Sequence, residues 1–581
     1  MCGIIGYIGK RNPKDILLEG LKSLEYRGYD SAGIALKNKD EVQIIKSVGK
    51  ISKLEEKINK TKLIDCTLGI AHTRWATHGE PNEVNAHPHQ TGKITLVHNG
   101  IIENAASLRE ELESKGIEFK SHTDTEVISA LLNENYKGNM VKAIEKTIKE
   151  LKGSYALAIL SEDEDKLYAT RCESPLILGI GENEYYVTSD IGAILNETRD
   201  YVLLGENEIV TMTREGYRVE KDGKEIRRKV LTSELSKESL DLCGYEHYMM
   251  KEIMEEPILV KQRIDHFIEN LEDLPDLRKY NNIHIVGCGS AYYAGMIGKN
   301  FFEEEGLKVE IDVASEYRYR NIVYDKKTLV ILISQSGETA DTIAAMRKAI
   351  DNKIDTLAIV NVDGSTIARE CTYKILIEAG REVAVATTKA FILQVLTMSF
   401  LAYKMNPDKK FIEDVKRLPQ QLKVLLDKSG FYKKLADAIY KQEDVFFMGR
   451  RVDYAISLEG SLKLKEVSYI HSDAYQAGEL KHGTISLVNK GTIVFGIVTD
   501  EVTKDKTISN IEEVVSRGAN PIYVGTEEVN YENKIIVPKV HPYLQPILVV
   551  PALQQIAYFV AYKRGCEIDK PKNLAKSVTV E

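Results

Sequence analysis

Cys2 follows the initiator methionine, where removal of Met1 would put a thiol and a free α-amine on one residue. An α-amine titrates near ~7.7–8.0 and can therefore accept a proton at cellular pH. A nucleophile and a base on the same residue form the N-terminal variant of nucleophilic catalysis. A cysteine in second position is also often incidental, so the other polar motifs must decide what Cys2 does.

The polar segment 72–79 follows a predicted strand and places Arg74 beside Trp75, the only tryptophan of the chain. A guanidinium can bind a substrate carboxylate through two parallel hydrogen bonds, although Arg74 could equally be a surface charge. Asp124 comes just before a predicted helix. An aspartate there could serve only as the N-cap, or it could hold a substrate ammonium.

Asn99 and Gly100 come directly after the predicted strand 94–97. This residue pair favours a hairpin turn. An Asn amide and a Gly backbone N–H could also stabilise the negative oxygen of a tetrahedral intermediate. The sequence alone favours the turn and leaves the oxyanion hole as the alternative.

Histidines cluster in the same part of the chain, at His72, His78, His87 and His89. They raise the alternative of a metal site, but no cysteine or suitably spaced glutamate completes a set of ligands. We therefore expect no metal.

These motifs resemble the glutamine-hydrolysing domain of N-terminal-nucleophile amidotransferases. The resemblance rests on residues 2–6, 72–79, 98–100 and 123–126. It implies a four-layer αββα domain in which Cys2 attacks the glutamine side-chain amide. It further implies an oxyanion hole of Asn99 and Gly100, a channel gate at Trp75 instead of simple core packing, and glutamine binding by Arg74, Thr77, His78 and Asp124.

The second half of the chain repeats itself. Buried-strand patterns recur in the same order at a nearly constant separation, with helical patterns between them. The paired segments are 283–289 with 445–449, 329–333 with 493–498, and 356–361 with 521–525. The repeat predicts two doubly wound α/β units with parallel sheets, made by duplication.

Residues 334–339 join a predicted strand to a predicted helix and are rich in hydroxyls. Such a segment could bind a phosphate at the helix N-terminus, or it could merely cap the helix. The chain lacks a Gly-Lys-Ser/Thr phosphate loop here, and the turn at Gly287 and Gly289 lacks the third glycine of a dinucleotide fingerprint. The segment therefore does not indicate ATP or a dinucleotide.

This half resembles paired sugar-isomerase domains, through residues 334–339, 387–391, 458–466, 477–483 and the tail 573–581. The resemblance implies that Lys576 forms a Schiff base with a ketose phosphate, that Glu466 moves a proton between C1 and C2, and that His482 opens the sugar ring. Lys463, three residues before Glu466, belongs to the same implied catalytic set. Alternatively, Lys463 and Glu466 form a surface ion pair and the tail is disordered. Sugar-phosphate contacts are implied for Ser290, Ser334, Gln335, Ser336, Thr339, Val385 and Ala575.

Two positions depart from the family pattern. Ala291 stands where many members have a hydroxyl, and Lys572 replaces a common arginine. The first change would weaken sugar binding without altering the reaction, and the second exchange is milder.

Composition, charge and the spacing of cysteines restrict the class of protein further. With 43% hydrophobic residues, a net charge of −9 and interspersed charges, the chain gives no sign of a nucleic-acid partner. The apolar segment 547–560 is interrupted by Pro551, so it predicts a buried helix and no membrane span. The seven cysteines are scattered, which favours a reducing cytoplasm over a disulfide framework.

The order of parts resembles amidotransferases that act on a sugar phosphate. It implies that glutamine supplies ammonia to fructose 6-phosphate, giving glucosamine 6-phosphate and glutamate in a homodimer without a cofactor. Phosphoribosyl transfer, asparagine synthesis and a sugar-phosphate sensor are the alternatives. Phosphoribosyl transfer would need an acidic pyrophosphate-binding loop and asparagine synthesis an ATP-pyrophosphate loop, and the sequence contains neither. A sugar-phosphate sensor would not need Cys2. The expected domains are residues 2–235, a linker 236–275, two sugar domains at 276–420 and 430–565, and a tail 566–581.

Overall fold

A computed structural model describes residues 2–25, 28, 30–39, 41–75, 79–233 and 242–579. The chain forms two compact units, one of residues 1–241 and 577–581 and the other of residues 242–576. The expected boundary at residue 235 falls in the segment 234–241, outside the described residues. The finer boundaries inside the second unit stay a prediction.

The described part of the first unit contains two antiparallel sheets, ordered β15-β11-β9-β10-β1-β4-β2-β3 and β14-β13-β12-β8-β7-β6-β5. The strands are β1 (Gly3–Ile8), β2 (Ser31–Lys37), β3 (Val42–Val48), β4 (Leu68–Arg74), β5 (His89–Thr91), β6 (Ile94–Ile102), β7 (Gly153–Ser161), β8 (Glu164–Cys172), β9 (Ile177–Ile180), β10 (Tyr185–Thr188), β11 (Asp200–Leu203), β12 (Ile209–Met212), β13 (Tyr217–Lys221), β14 (Lys224–Glu225) and β15 (Leu231–Thr232). The helices are α1 (Pro13–Leu24), α2 (Ile51–Lys60), α3 (Ala105–Ser114), α4 (Asp124–Asn135) and α5 (Met140–Glu150).

The alternation of side chains along β1 explains how these elements stack. Ile4 and Ile8 point into the core between the two sheets, whereas Ile5 and Tyr7 pack against the layer that holds α1 and α2. The second sheet packs its other face on α3, α4 and α5. The order of layers is helices, sheet, sheet, helices, so the predicted αββα arrangement is confirmed.

The described part of the second unit holds two parallel sheets of five strands each. Both sheets have the same topology. If the strands of each sheet are numbered in chain order, their order across the sheet is 2-1-3-4-5. The shared order confirms the predicted repeat and is one of the common doubly wound orders. The strands are β16 (Asn282–Gly287), β17 (Lys308–Val313), β18 (Thr328–Ser334), β19 (Asp355–Val360) and β20 (Tyr373–Leu376), then β21 (Asp444–Gly449), β22 (His471–Gln476), β23 (Ile493–Val498), β24 (Asn520–Gly525) and β25 (Asn533–Ile536).

The two repeats of the second unit share one apolar core, to which strands of both sheets and the long apolar helices contribute. The helix α16 contains Pro551 and is buried along most of its length, as the sequence predicted. Among the residues that the structure describes, no helix is both long and apolar enough to cross a membrane. The helices are α6 (Tyr248–Glu269), α7 (Ser290–Glu304), α8 (Ala314–Tyr317), α9 (Ala340–Asp351), α10 (Thr366–Glu370), α11 (Lys389–Met405), α12 (Lys409–Leu426), α13 (Ser429–Leu435), α14 (Val452–Ser468), α15 (Lys504–Val515) and α16 (Gln545–Arg564).

Candidate active sites

Cys2 lies at the start of β1, in the middle of the first sheet. Its Sγ accepts a hydrogen bond from the backbone N–H of Trp75 at 3.2 Å, and the Asn99 side chain donates from Nδ2 to the Cys2 carbonyl at 3.0 Å. Burial raises the pKa of the Cys2 thiol, and the hydrogen bond from the Trp75 N–H only partly opposes this. A raised thiol pKa means that a base must take the proton before the sulfur can attack.

The predicted turn at Asn99 and Gly100 is wrong. Both residues lie inside β6, where Asn99 pairs with Ala156 and Gly100 with Tyr155 of β7. Gly100 has a φ of 136°, and a Cβ added there would stand 2.0 Å from the Ser154 carbonyl oxygen. Glycine is therefore required for the close approach of two backbones, and the strand holds the Asn99 amide against Cys2.

We expect Gly100→Ala to destabilise the first unit and to slow glutamine hydrolysis. The strained φ alone costs about 1–3 kcal/mol, and the contact with the Ser154 carbonyl adds to it because a backbone oxygen cannot move away cheaply. Denaturant unfolding measures the loss of stability, and release of glutamate measures the rate of hydrolysis. Gly116→Ala is the matched control, since Gly116 also has a positive φ but an added Cβ would meet nothing within 4 Å. Equal stability of the two variants would contradict the expectation.

Arg74 and Asp124 are both buried, so the surface-charge interpretation of Arg74 is wrong. Arg74 ends β4 and donates from Nη2 to the Gly79 carbonyl at 3.1 Å. The N-cap interpretation of Asp124 is also wrong, because the N-cap of α4 is Thr123. The Asp124 carboxylate instead accepts the Ile102 N–H at 2.9 Å, which fixes it at the end of β6. The predicted glutamine contacts Thr77 and His78 lie outside the described residues.

The rings of three histidines near this site pack against one another. The rings of His72 and His87 are stacked with centroids 4.0 Å apart, and His89 contacts His87 edge-on at 5.0 Å. Burial lowers the pKa of all three, that of His72 to about 3. Within the described ranges, no group of three or more His, Cys, Asp or Glu side chains is arranged to hold a metal ion.

In the second unit, Ser334 ends β18 and its loop leads into α9. The Ser334 Oγ accepts the Gly337 N–H at 3.0 Å and lies 3.2 Å from the Thr339 hydroxyl. Thr339 occupies the N-cap position of α9, but its side chain makes no capping hydrogen bond. Simple helix capping therefore does not account for these hydroxyls, which gather at a helix N-terminus where anions bind.

A cavity brings most of the predicted sugar-phosphate residues together with the predicted Schiff-base lysine. Ala291, one of the two departures from the family pattern, is in its wall as well. Its lining consists of Cys288, Ser290, Ala291, Ile333, Ser334, Gln335, Ser336, Thr339, Thr387, Gln394 and Lys576. Such a concave site with hydroxyls on one side and an amine on the other suits a small phosphorylated carbonyl compound.

The Lys576 side chain is buried and donates to Glu382 Oε2 at 2.6 Å, so the disordered-tail interpretation is wrong at this residue. Glu382 Oε1 also accepts the N–H groups of Thr388 and Ala390 at the start of α11. Although burial opposes it, Lys576 holds the pKa of Glu382 below its ordinary value. Burial and the Glu382 charge together raise the pKa of the neighbouring Glu252 to about 8. Neither carboxyl was identified from the sequence.

Lys463 and Glu466 lie on α14, and their pairing is not a surface ion pair because the Lys463 side chain is fully buried. The Lys463 Nζ is 2.7 Å from Glu466 Oε2, 3.5 Å from Glu459 Oε1 and 3.0 Å from the Ser290 hydroxyl. Burial raises the pKa of Glu459 to about 7. Lys463 thus contacts both the predicted sugar-phosphate residue Ser290 and the predicted base Glu466.

The remaining predicted residues lie outside the lining of this cavity. His482 is exposed at the end of a short 3₁₀ helix (Glu479–His482). The Val385 N–H donates to the Asp569 carbonyl at 2.9 Å, and Ala575 is half-buried in the tail beside Lys576. Lys572 donates its backbone N–H to the Tyr469 hydroxyl and places its ammonium 4.6 Å from the centre of that ring.

Models of two known domain families match the two parts of the chain. The model of the glutamine amidotransferase domain matches residues 72–196, and that of the SIS domain matches residues 276–404 and 438–529. The solved C-terminal domain of glucosamine-fructose-6-phosphate aminotransferase from Francisella tularensis is 34% identical and covers 57% of this chain and all of that one, with a TM-score of 0.53. Fold and site thus define a glutamine amidotransferase that carries paired sugar-isomerase domains.

Relatives with the same two parts are similar along the whole chain. Proteins from Clostridium tetani, Thermus thermophilus and Methanosarcina acetivorans are 46%, 42% and 43% identical, each over 100% of both chains. All three are named glutamine–fructose-6-phosphate aminotransferase (isomerizing). The chain therefore belongs to the glutamine–fructose-6-phosphate aminotransferase (isomerizing) family.

Proposed function

We propose that the protein hydrolyses L-glutamine and transfers the ammonia to D-fructose 6-phosphate, giving D-glucosamine 6-phosphate and L-glutamate. The observation that carries this proposal is the position of Lys576 in a cavity lined by Ser334, Ser336 and Thr339. A glutaminase alone would have no use for a buried amine beside an anion-binding loop. Membership of the family supports the same reaction.

In the first unit, the proposed reaction begins when the free α-amine of Cys2 takes the thiol proton. The sulfur then attacks the side-chain carbonyl of glutamine, whose oxygen becomes negative near Asn99 Nδ2 and the Gly100 N–H. As this intermediate collapses, the α-ammonium returns its proton to the nitrogen, ammonia leaves, and a thioester remains, which water hydrolyses to glutamate. Arg74 would bind the substrate carboxylate and Asp124 its ammonium, with Thr77 and His78 as further contacts.

In the second unit, His482 would open the sugar ring, and the hydroxyls around Ser334 would bind the phosphate together with Gln335 and the N-terminus of α9. The Lys576 amine attacks C2 of the open ketose, and loss of water gives a ketimine. Ammonia then displaces the lysine from C2, and Glu466 removes a proton from C1 and returns one to C2. The buried Lys463 contacts Glu466 and would hold that carboxylate in place.

Ammonia that entered bulk water at neutral pH would be protonated and would lose its nucleophilic lone pair. The transfer therefore needs a passage that excludes water, for which Trp75 is the proposed gate. Trp75 contacts the Cys2 sulfur through its backbone N–H, which is where ammonia would be released.

We further propose a cytoplasmic homodimer that needs no cofactor, binds no nucleic acid and does not associate with membranes. The exposed position of His482 supports the dimer, because a ring-opening acid or base works best in a site shielded from water. A second copy of the chain would supply that cover.

The proposal is tested by incubating the purified protein with fructose 6-phosphate and glutamine labelled with ¹⁵N in its side-chain amide. We expect the label in glucosamine 6-phosphate, which NMR detects directly. Omission of the sugar phosphate is the control and should leave only glutamate and labelled ammonium. Formation of glutamate without any amino sugar, when both substrates are present, would refute the transferase function.

A further inference from the structure

The side chain of His72 projects from β4 toward β6 and is fully buried. Its Nε2 lies 2.9 Å from the His98 carbonyl oxygen and 3.0 Å from Asn99 Oδ1. Both neighbours are acceptors, so Nε2 must carry the hydrogen of the imidazole. Nδ1 has no hydrogen-bond partner among the described residues, which agrees with an unprotonated nitrogen at that position. His72 is therefore a fixed donor to Asn99.

This donor determines which end of the Asn99 amide faces Cys2. With Oδ1 bound to His72, the amide nitrogen points the other way and donates to the Cys2 carbonyl at 3.0 Å. A flipped amide would set two donors against each other at His72 and two oxygens against each other at Cys2. Since a buried unpaired polar group costs about 1–3 kcal/mol, the flipped state is strongly disfavoured.

We propose that His72 is a positioning residue of the oxyanion hole: it fixes the Asn99 amide with its N–H groups toward the reacting carbon of glutamine. This proposal rests on the proposed glutaminase function. One N–H of the amide is occupied by the Cys2 carbonyl, and the other is available for the oxyanion that forms during attack by the thiolate.

The position of the His72 ring is itself constrained. His87 stacks on it at an interplanar angle of 20°, and His87 in turn accepts the His98 N–H and bonds the Thr125 hydroxyl at 3.2 Å. The donor cannot rotate away without breaking this stack. His89 contacts His87, but it bonds the Thr123 hydroxyl and, among the described residues, makes no hydrogen bond to the Asn99 amide. It therefore offers a matched control in the same cluster.

The test compares His72→Phe, which keeps a flat ring without a donor, with His72→Gln, which retains an N–H. Removing an oxyanion-hole donor costs about 10²–10³-fold in kcat, so we expect misorientation of the donor to lower kcat for glutamine hydrolysis by about 10–100-fold in His72→Phe. KM should change little, because His72 does not contact the glutamine carboxylate or ammonium in the proposed mechanism. His72→Gln should recover most of the rate, and His89→Phe should remain near wild type.

Alkylation of Cys2 by iodoacetamide separates positioning from folding. This displacement forms no oxyanion, so the rate should stay close to wild type in His72→Phe. Inhibition by the γ-aldehyde analogue of glutamine, whose oxygen enters the oxyanion hole after thiol addition, should weaken in parallel with kcat. Wild-type hydrolysis in His72→Phe, equal losses of alkylation and hydrolysis, or a His72→Gln variant as slow as His72→Phe would each overturn the proposal. A wild-type protein without glutaminase activity would instead refute the proposed function.

Discussion

Cys2→Ala should lower glutamine hydrolysis by at least ~10³-fold, because the variant removes the nucleophile and with it the covalent pathway. The Cys2 thiol accepts a hydrogen bond from the Trp75 N–H, and the Cys2 carbonyl accepts one from the Asn99 amide. The substitution therefore acts at the site where glutamine would react. Steady-state release of glutamate measures the effect. Mass spectrometry of the N-terminus should show that Met1 has been removed from both proteins, since the α-amine is the proposed base.

Two controls separate a chemical loss from a structural one. Cys66→Ala removes a buried cysteine elsewhere in the same unit and should keep glutamine hydrolysis. Fructose 6-phosphate should bind Cys2→Ala as tightly as the wild type, because its proposed site lies in the second unit. Ammonium salt at alkaline pH, where more of the nitrogen is free ammonia, should restore some amino sugar. Persistent glutaminase activity in Cys2→Ala would contradict the assignment of the nucleophile.

The parts of the fold that were predicted correctly from the sequence have strong local patterns. The inner strands of the two parallel sheets, such as β18 and β23, are buried along their whole length and have continuous apolar sequences, so the sequence alone predicts the repeat. The buried helix α16 could be predicted because Pro551 interrupts an otherwise apolar segment. In both cases the signal lies within a few neighbouring residues.

The errors came from local rules that tertiary contacts override. Asn99 and Gly100 have the composition of a turn, but Gly100 is present because the Ser154 carbonyl leaves no room for a side chain inside a strand. The spacing of Lys463 and Glu466 suits an exposed helix face and so allows a surface ion pair, yet the Lys463 side chain is fully buried. Burial of a whole helix cannot be read from one pair of charges.

Glu382 was missed for a different reason. It is 194 residues away from Lys576 in the chain, and no motif in its neighbourhood marks it as the partner of a lysine. A carboxylate within a segment of small apolar residues, 382–386, was the only signal in the sequence. Long-range electrostatic pairs of this kind become visible only when the fold brings the two segments together.

Lys576→Met should abolish formation of the amino sugar, with a loss of at least ~10³-fold, while glutamine hydrolysis continues. Without the amine no ketimine can form at C2, and ammonia would have to attack the carbonyl unaided. Borohydride reduction in the presence of fructose 6-phosphate should add the mass of the sugar phosphate to the wild-type protein and to Lys572→Met, but not to Lys576→Met. Covalent trapping in Lys576→Met would show that another lysine forms the Schiff base.

The same substitution should also destabilise the protein in a pH-dependent way. Lys576 holds the pKa of the fully buried Glu382 below its ordinary value, so the pair stabilises the fold above the unfolded pKa near ~4.3, and this stabilisation is lost as the pH falls through the folded pKa. Leaving one buried charge unpaired costs about 3–5 kcal/mol, which we expect for Lys576→Met near neutral pH and much less at pH 4. Adding Glu382→Gln should restore stability without restoring synthesis. A double variant that regains activity would mean that Lys576 acts on Glu382 and not on the sugar.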